Sequence, residues 1–133
     1  MNLAQVIHQR WAAAEALEGL LPAARVFTGM NVNPAKPFGV IAKRSDRPLE
    51  RFGDGSAIDT IELRIQVFHD EMDGGAAIIH EIKTAFDNTQ FDLAGSDKVV
   101  QMQRTNDTQQ QADDGSWQFV VDFACMVQLT AGV

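Results

Sequence analysis

The 133-residue chain has one cysteine, no tyrosine and only four prolines. No apolar run approaches the ~20 residues that cross a bilayer, so no membrane span is predicted. A lone Cys125 excludes an intrachain disulfide and a cysteine cluster for a metal. Basic residues are scarce: eleven Lys and Arg face eighteen Asp and Glu, for a net charge of −7. That balance excludes a broad phosphate-binding face and argues against sequence-specific nucleic-acid binding. The N-terminal MNLAQVIHQRW lacks the basic head and apolar body of a signal peptide, which points to the cytoplasm as the place of synthesis. The missing tyrosine excludes nothing.

Catalytic and metal motifs are also missing. His80-Glu81 begins like the H-E-x-x-H zinc motif, but Thr84 stands where the second histidine belongs. His8 and His69 are isolated. Asp70, Glu71 and Asp73 lack the alternate spacing, central glycine and distal glutamate of a calcium loop, and fit a helix start. Gly53-Asp54-Gly55 resembles the opening of a dinucleotide fingerprint, yet Ile58 replaces the third glycine and the segment precedes a strand pattern. No nucleophile elbow or phosphate loop occurs. Asn106-Asp107-Thr108 fits a glycosylation acceptor without a secretory context. Cys125 alternates with core positions and reads as an inert buried thiol. No catalytic residue, cofactor site or metal site is expected, and the chain reads as a non-enzyme.

What is present is alternation. In residues 54–70, DGSAIDTIELRIQVFHD, Ile61, Leu63, Ile65 and Val67 fall on one side and Thr60, Glu62, Arg64 and Gln66 on the other. Period two with β-branched residues predicts a strand over residues 58–68 with one buried face. The same pattern returns near the C-terminus, where Trp117, Phe119, Val121, Phe123, Cys125, Val127 and Leu129 share a side. Residues 98–104 would form the other arm of that hairpin, around a polar tip at 106–116. Further strands are expected at residues 25–29 and 38–43, with Gly39 as a possible bulge, and a short one at 49–52 within a turn-rich loop.

Helical spacing appears twice. Asn2 would cap a first helix carrying Leu3, Val6, Ile7, Ala14, Leu17 and Leu21, stopped by Pro22. Residues 72–88 form a second, with Asp73 as cap and Ile78, Ile79, Ile82, Ala85 and Phe86 as its apolar stripe. Residues 30–37 read as a loop, and Phe91 and Leu93 as anchors of another. The expected fold is one α+β domain over residues 1–133. It has a mainly antiparallel sheet of four to five strands, two helices on one face, and the order α-β-β-β-α-β-β. The Asp-Gly-Ser turns at 54–56 and 114–116 make a faint internal echo, too weak at residue level to establish a repeat.

These parts together resemble the phage tail-completion family, relatives of tail-terminator and head–tail joining proteins. The resemblance runs through Leu20-Leu21-Pro22, the VFTG segment and the Pro37-Phe38-Gly39-Val40 strand start. It continues through residues 54–69 with the Ile-rich helix, and the closing DDGSWQFVVDFACMVQL. It implies a structural virion protein that completes or terminates the tail tube and joins it to the head. Further implications are a self-assembled ring, a hexamer, contacts with the tail-tube protein and the head connector, and a path from host cytoplasm to virion. It implies no catalytic residue. Exposed strands and polar loops suit such assembly, and an acidic chain suits a channel through which DNA slides. Two other classes compete: a small enzyme or ligand-binding domain with a pocket between helix and sheet, and a regulatory partner protein suggested by acidity alone. For the assembly reading, the protein-contact loop is expected at residues 45–52, where Arg47 and Arg51, with Arg44 beside them, would dock onto acidic surfaces.

Overall fold

The computed structural model describes residues 3–29, 34–93 and 95–130. Helices α1 (Leu3–Ala13) and α2 (Glu15–Leu20) open the chain, followed by a 3-10 turn (Ala23–Arg25) and strands β1 (Val26–Phe27), β2 (Phe38–Arg51) and β3 (Ala57–His69). The second half runs α3 (Met72–Phe86), β4 (Thr89–Asp92), β5 (Lys98–Gln111) and β6 (Trp117–Leu129). The class is α+β, as the alternation and helical stripes predict. The count and order differ from expectation. Among the described residues six strands form one sheet in the order β1-β2-β3-β6-β5-β4, and three helices replace two. All pairings are antiparallel except β1 with β2.

Each difference has a local cause. The first helix divides at Ala14, whose extended backbone interrupts the helical path. Trp11 is fully buried at that bend, and its indole Nε1 donates to the Leu21 carbonyl at 2.7 Å, which ties the two pieces together. The proposed Asn2 cap lies outside the described residues, as do residues 30–33 of the expected loop. Residue Glu71, not Asp73, occupies the N-cap of α3, and its side chain makes no capping bond. Phe91 belongs to the unexpected edge strand β4, and the Arg10 guanidinium lies 4.5 Å from its ring centroid. Gly39 is not a bulge: the register shifts fall between Lys43 and Ser45 and between Pro48 and Glu50. The segment at 45–51 is therefore not a loop, and only Phe52 belongs to the turn. Residues 45–51 are the outer half of β2, paired with β3 along its length. The polar tip of the second hairpin is likewise strand up to Gln111.

One cluster forms the core. Odd-numbered residues of β3 and β6 (Leu63, Ile65, Val67, Val121, Phe123, Cys125) meet Ile7, Trp11, Leu17, Ile78, Ile82 and Phe86 from the helices. The even-numbered face mixes polar residues with Ile58, Val120, Ala124 and Met126, and carries an aromatic cluster at one corner. There Phe38 stacks on Phe68 with ring centroids 4.6 Å apart, and Phe27 lies 6.3 Å from Phe38.

The two hairpins are near copies in geometry. In both turns the serine amide and hydroxyl donate to the aspartate Oδ1, at 2.9 and 2.6 Å, in Asp54–Ser56 and again in Asp114–Ser116. Gly55 and Gly115 take φ of 91° and 87°, the left-handed region open to glycine. Each outer strand carries two register shifts. The sheet order, read from either end, gives short edge strand, bulged strand, straight strand.

Candidate assembly surface

Ions line the even-numbered face and the outer half of β2. At the centre, Arg64 and Asp122 are register partners. Arg64 Nε and Nη2 donate to the two carboxylate oxygens of Asp122 at 2.9 and 3.2 Å. The bidentate fork holds the Asp122 carboxyl below its ordinary range, with the Arg44 charge adding to the effect. Arg44, at the first shift of β2, brings Nη1 to 3.6 Å from Asp122. Arg47 reaches Glu62 at 3.2 Å, and Arg51 reaches Asp59 at 3.3 Å.

The three arginines are thus spread along one strand, each beside a cross-strand acid. They do not form a free basic cluster on a loop. Sequence reading missed these acids because the pairing depends on a register that only the sheet supplies. Arg47 and Arg51 nevertheless stay well exposed, at 68% and 60% of the side chain, so both can reach a neighbour.

Burial differs sharply among the acids. Asp59 is 8% exposed, and its Oδ1 has Arg51 nearby but no aligned hydrogen bond. Asp46 sits next to it. Burial, together with the hydrogen bond and charge of Asp59, raises the Asp46 carboxyl above its ordinary range.

A ligand site would need a pocket with converging polar groups. A cleft of about 470 Å³ lies between α1 and the sheet, lined by Leu3, Ala4, Thr28, Ile41, Lys43, Asp46, Ile61 and Leu63. Its two charged groups, Lys43 and Asp46, lie 4.0 Å apart and balance each other. His80 borders a smaller polar cleft with Lys83 and Asp107, whose own ion pair is 2.6 Å. No group of three or more His, Cys, Asp or Glu placed to hold a metal occurs among the described residues. Burial pushes the Cys125 thiol up to about 12, so it stays protonated and unreactive at neutral pH. No helix among the described residues is long and apolar enough to cross a membrane.

The open strand edges are extensive. β1 pairs with β2 only at Gly39 and Val40, and β4 pairs with β5 only between Lys98 and Met102. Among the described residues no strand covers residues 42–51 or 103–111 on their outer sides. The sequence matches the family described as tail completion protein gp17 over residues 5–128. The chain belongs to that family. Membership gives it a structural role in a phage tail. A solved chain from the virion of a native gene transfer agent particle has the same fold, with a TM-score of 0.74 at 13% identity, over 95% of this chain and 94% of that one. No curated protein matches the sequence.

Proposed function

We propose that this tail-completion protein closes the end of a phage tail tube as a ring of identical subunits and joins it to the head. The observation that carries this reading is the pair of uncovered strand edges on opposite sides of the sheet. A sheet with two open edges can add a neighbour on each side, which is what a ring subunit requires. The subunit number proposed is six. The tail-tube protein and the head connector are the partners, met above and below the ring. Assembly takes place in the host cytoplasm, and the finished ring stays in the virion. Arg44, Arg47 and Arg51 are its contact residues toward acidic surfaces.

The test is light scattering and electron microscopy of the purified protein, alone and mixed with the tail-tube protein. Ring-sized particles, alone or on tube ends, are expected. A protein that stays monomeric in both settings overturns the reading.

A further inference from the structure

The two uncovered edges occupy diagonal corners of the sheet. In one row of the register Glu50, Ile58, Gln128 and Lys98 lie side by side; in another, Phe38, Phe68, Gln118 and Gln110. The free half of β2 is therefore level with the covered half of β5, and the reverse. Each free edge offers roughly 30 Å of unpaired backbone.

Their charges are opposite. The β2 edge with its turn, residues 43–54, carries Lys43, Arg44, Arg47 and Arg51 against Asp46, Glu50 and Asp54. The β5 edge with its turn, residues 103–114, carries Arg104 against Asp107, Asp113 and Asp114. Two of the large exposed apolar side chains, Leu49 and Phe52, project at the end of the β2 arm. The β5 arm from Asn106 to Gln111 is polar and runs without a register shift or proline.

We infer that the β2 edge of one copy pairs with the β5 edge of the next, extending the sheet head to tail between identical subunits. This rests on the ring reading above and names its interface. Strand direction permits it. β2 and β5 run antiparallel within the sheet, because three antiparallel steps separate them. A neighbour in the same orientation, offset along the strands by about half their length, therefore presents the free half of β5 antiparallel to that of β2. A two-fold β2–β2 contact would also be antiparallel, but it sets cations against cations. A β5–β5 contact brings together two edges whose turns, with Asp113 and Asp114, make each net negative. Like charges across a strand pair are unfavourable, so the heterologous arrangement is selected, and a heterologous contact generates a ring where its rotation closes. Pro48 and the two register shifts blunt the β2 edge against indiscriminate pairing, which leaves charge to choose the partner.

The experiment is a charge swap. One variant carries Lys43→Glu and Arg47→Glu, making the β2 edge acidic. A second carries Gln103→Lys and Asp113→Lys, making the β5 edge basic. All four side chains are exposed, so both variants should melt within about 5 °C of the parent. Each variant, alone with the tail-tube protein, is expected to lose at least about tenfold in ring yield, since a single like-charge contact is repeated at every interface. Mixed in equal amounts they should recover rings of alternating copies, because every interface then joins opposite charges. Variants that assemble singly as well as the parent overturn the edge pairing while leaving the ring reading standing. Folded variants whose mixture stays unassembled also overturn it. A parent that never assembles overturns both.

Discussion

Leu63 and Phe123 face each other across the central β3–β6 pair, and they are equivalent positions of the two hairpins. Sixty residues separate them, the offset that carries Phe38–Arg51 onto Lys98–Gln111 and Ala57–His69 onto Trp117–Leu129. An approximate two-fold axis through this pair relates one half of the sheet to the other. It also places the two open edges at opposite corners. Both side chains are essentially inaccessible, so the axis passes through the core.

Facing along β3 decides tolerance. Ile65→Asp puts a charge into a fully buried site and should cost about 4 kcal/mol or more, enough to unfold the domain. Thr60→Asp lies on the other face, opposite Arg47, and should change stability by less than about 1 kcal/mol. Urea titrations of both variants check this; equal losses would contradict the facing.

Two helix glycines should respond with opposite signs. A Cβ at Gly75 would stand 2.0 Å from the Phe119 ring, so Gly75→Ala must shift a packed aromatic and should cost about 1–3 kcal/mol. A Cβ at Gly19, in α2, meets nothing within 4 Å. Gly19→Ala should stabilise by about 0.4–1 kcal/mol through helix propensity and a less flexible unfolded chain. Thermal unfolding of the two variants gives the comparison directly.

Acid should weaken the fold through Asp122. The Arg64 fork lowers its folded value below that of the unfolded chain. The stabilisation is present above the unfolded value of about 4 and is lost as pH falls through the lower folded value. Asp122→Asn should therefore lower the melting temperature at pH 7 and flatten the acid limb of the profile. Asp46 has the opposite sign, being raised by burial and by Asp59. Its ionised form destabilises above the raised value, and that cost disappears in acid. Asp46→Asn should raise the melting temperature at pH 7, with the gain shrinking toward pH 4. Melting curves across pH for the parent and both variants test the two signs.

The arginines of β2 should separate in a stability assay. Arg47→Ala removes an exposed pair with Glu62 and should cost less than about 1 kcal/mol. Arg51→Ala leaves the buried Asp59 beside Asp46 without its cation, for about 1–3 kcal/mol. If these residues dock onto neighbours, tail completion should fail with Arg47→Ala even though the subunit is folded. Infectious particles at the parent level from that variant would show that Arg47 serves only its own strand.

The amino-acid pattern by itself determined the parts whose burial is one-sided. Ile61, Leu63, Ile65 and Val67 mark β3, and the Trp117-to-Leu129 alternation marks β6, because each strand has one face in the core and one outside it. Ile78, Ile82 and Phe86 mark α3 for the same reason at helical period, and the two Asp-Gly-Ser turns are chemically local. Tertiary structure decided the rest. The outer halves of β2 and β5 are exposed on both faces, so no period of two is written in RSDRPLER or QRTNDTQQQ, and composition reads them as loops. They are strands because the backbones of β3 and β6 supply their hydrogen bonds. The same register brings Asp122 to Arg64, Glu62 to Arg47 and Asp59 to Arg51, partners that linear spacing does not reveal. The sixty-residue symmetry is hidden for a related reason. The two hairpins share backbone geometry and turn chemistry, while most of their side chains differ between equivalent positions, as Leu63 and Phe123 do.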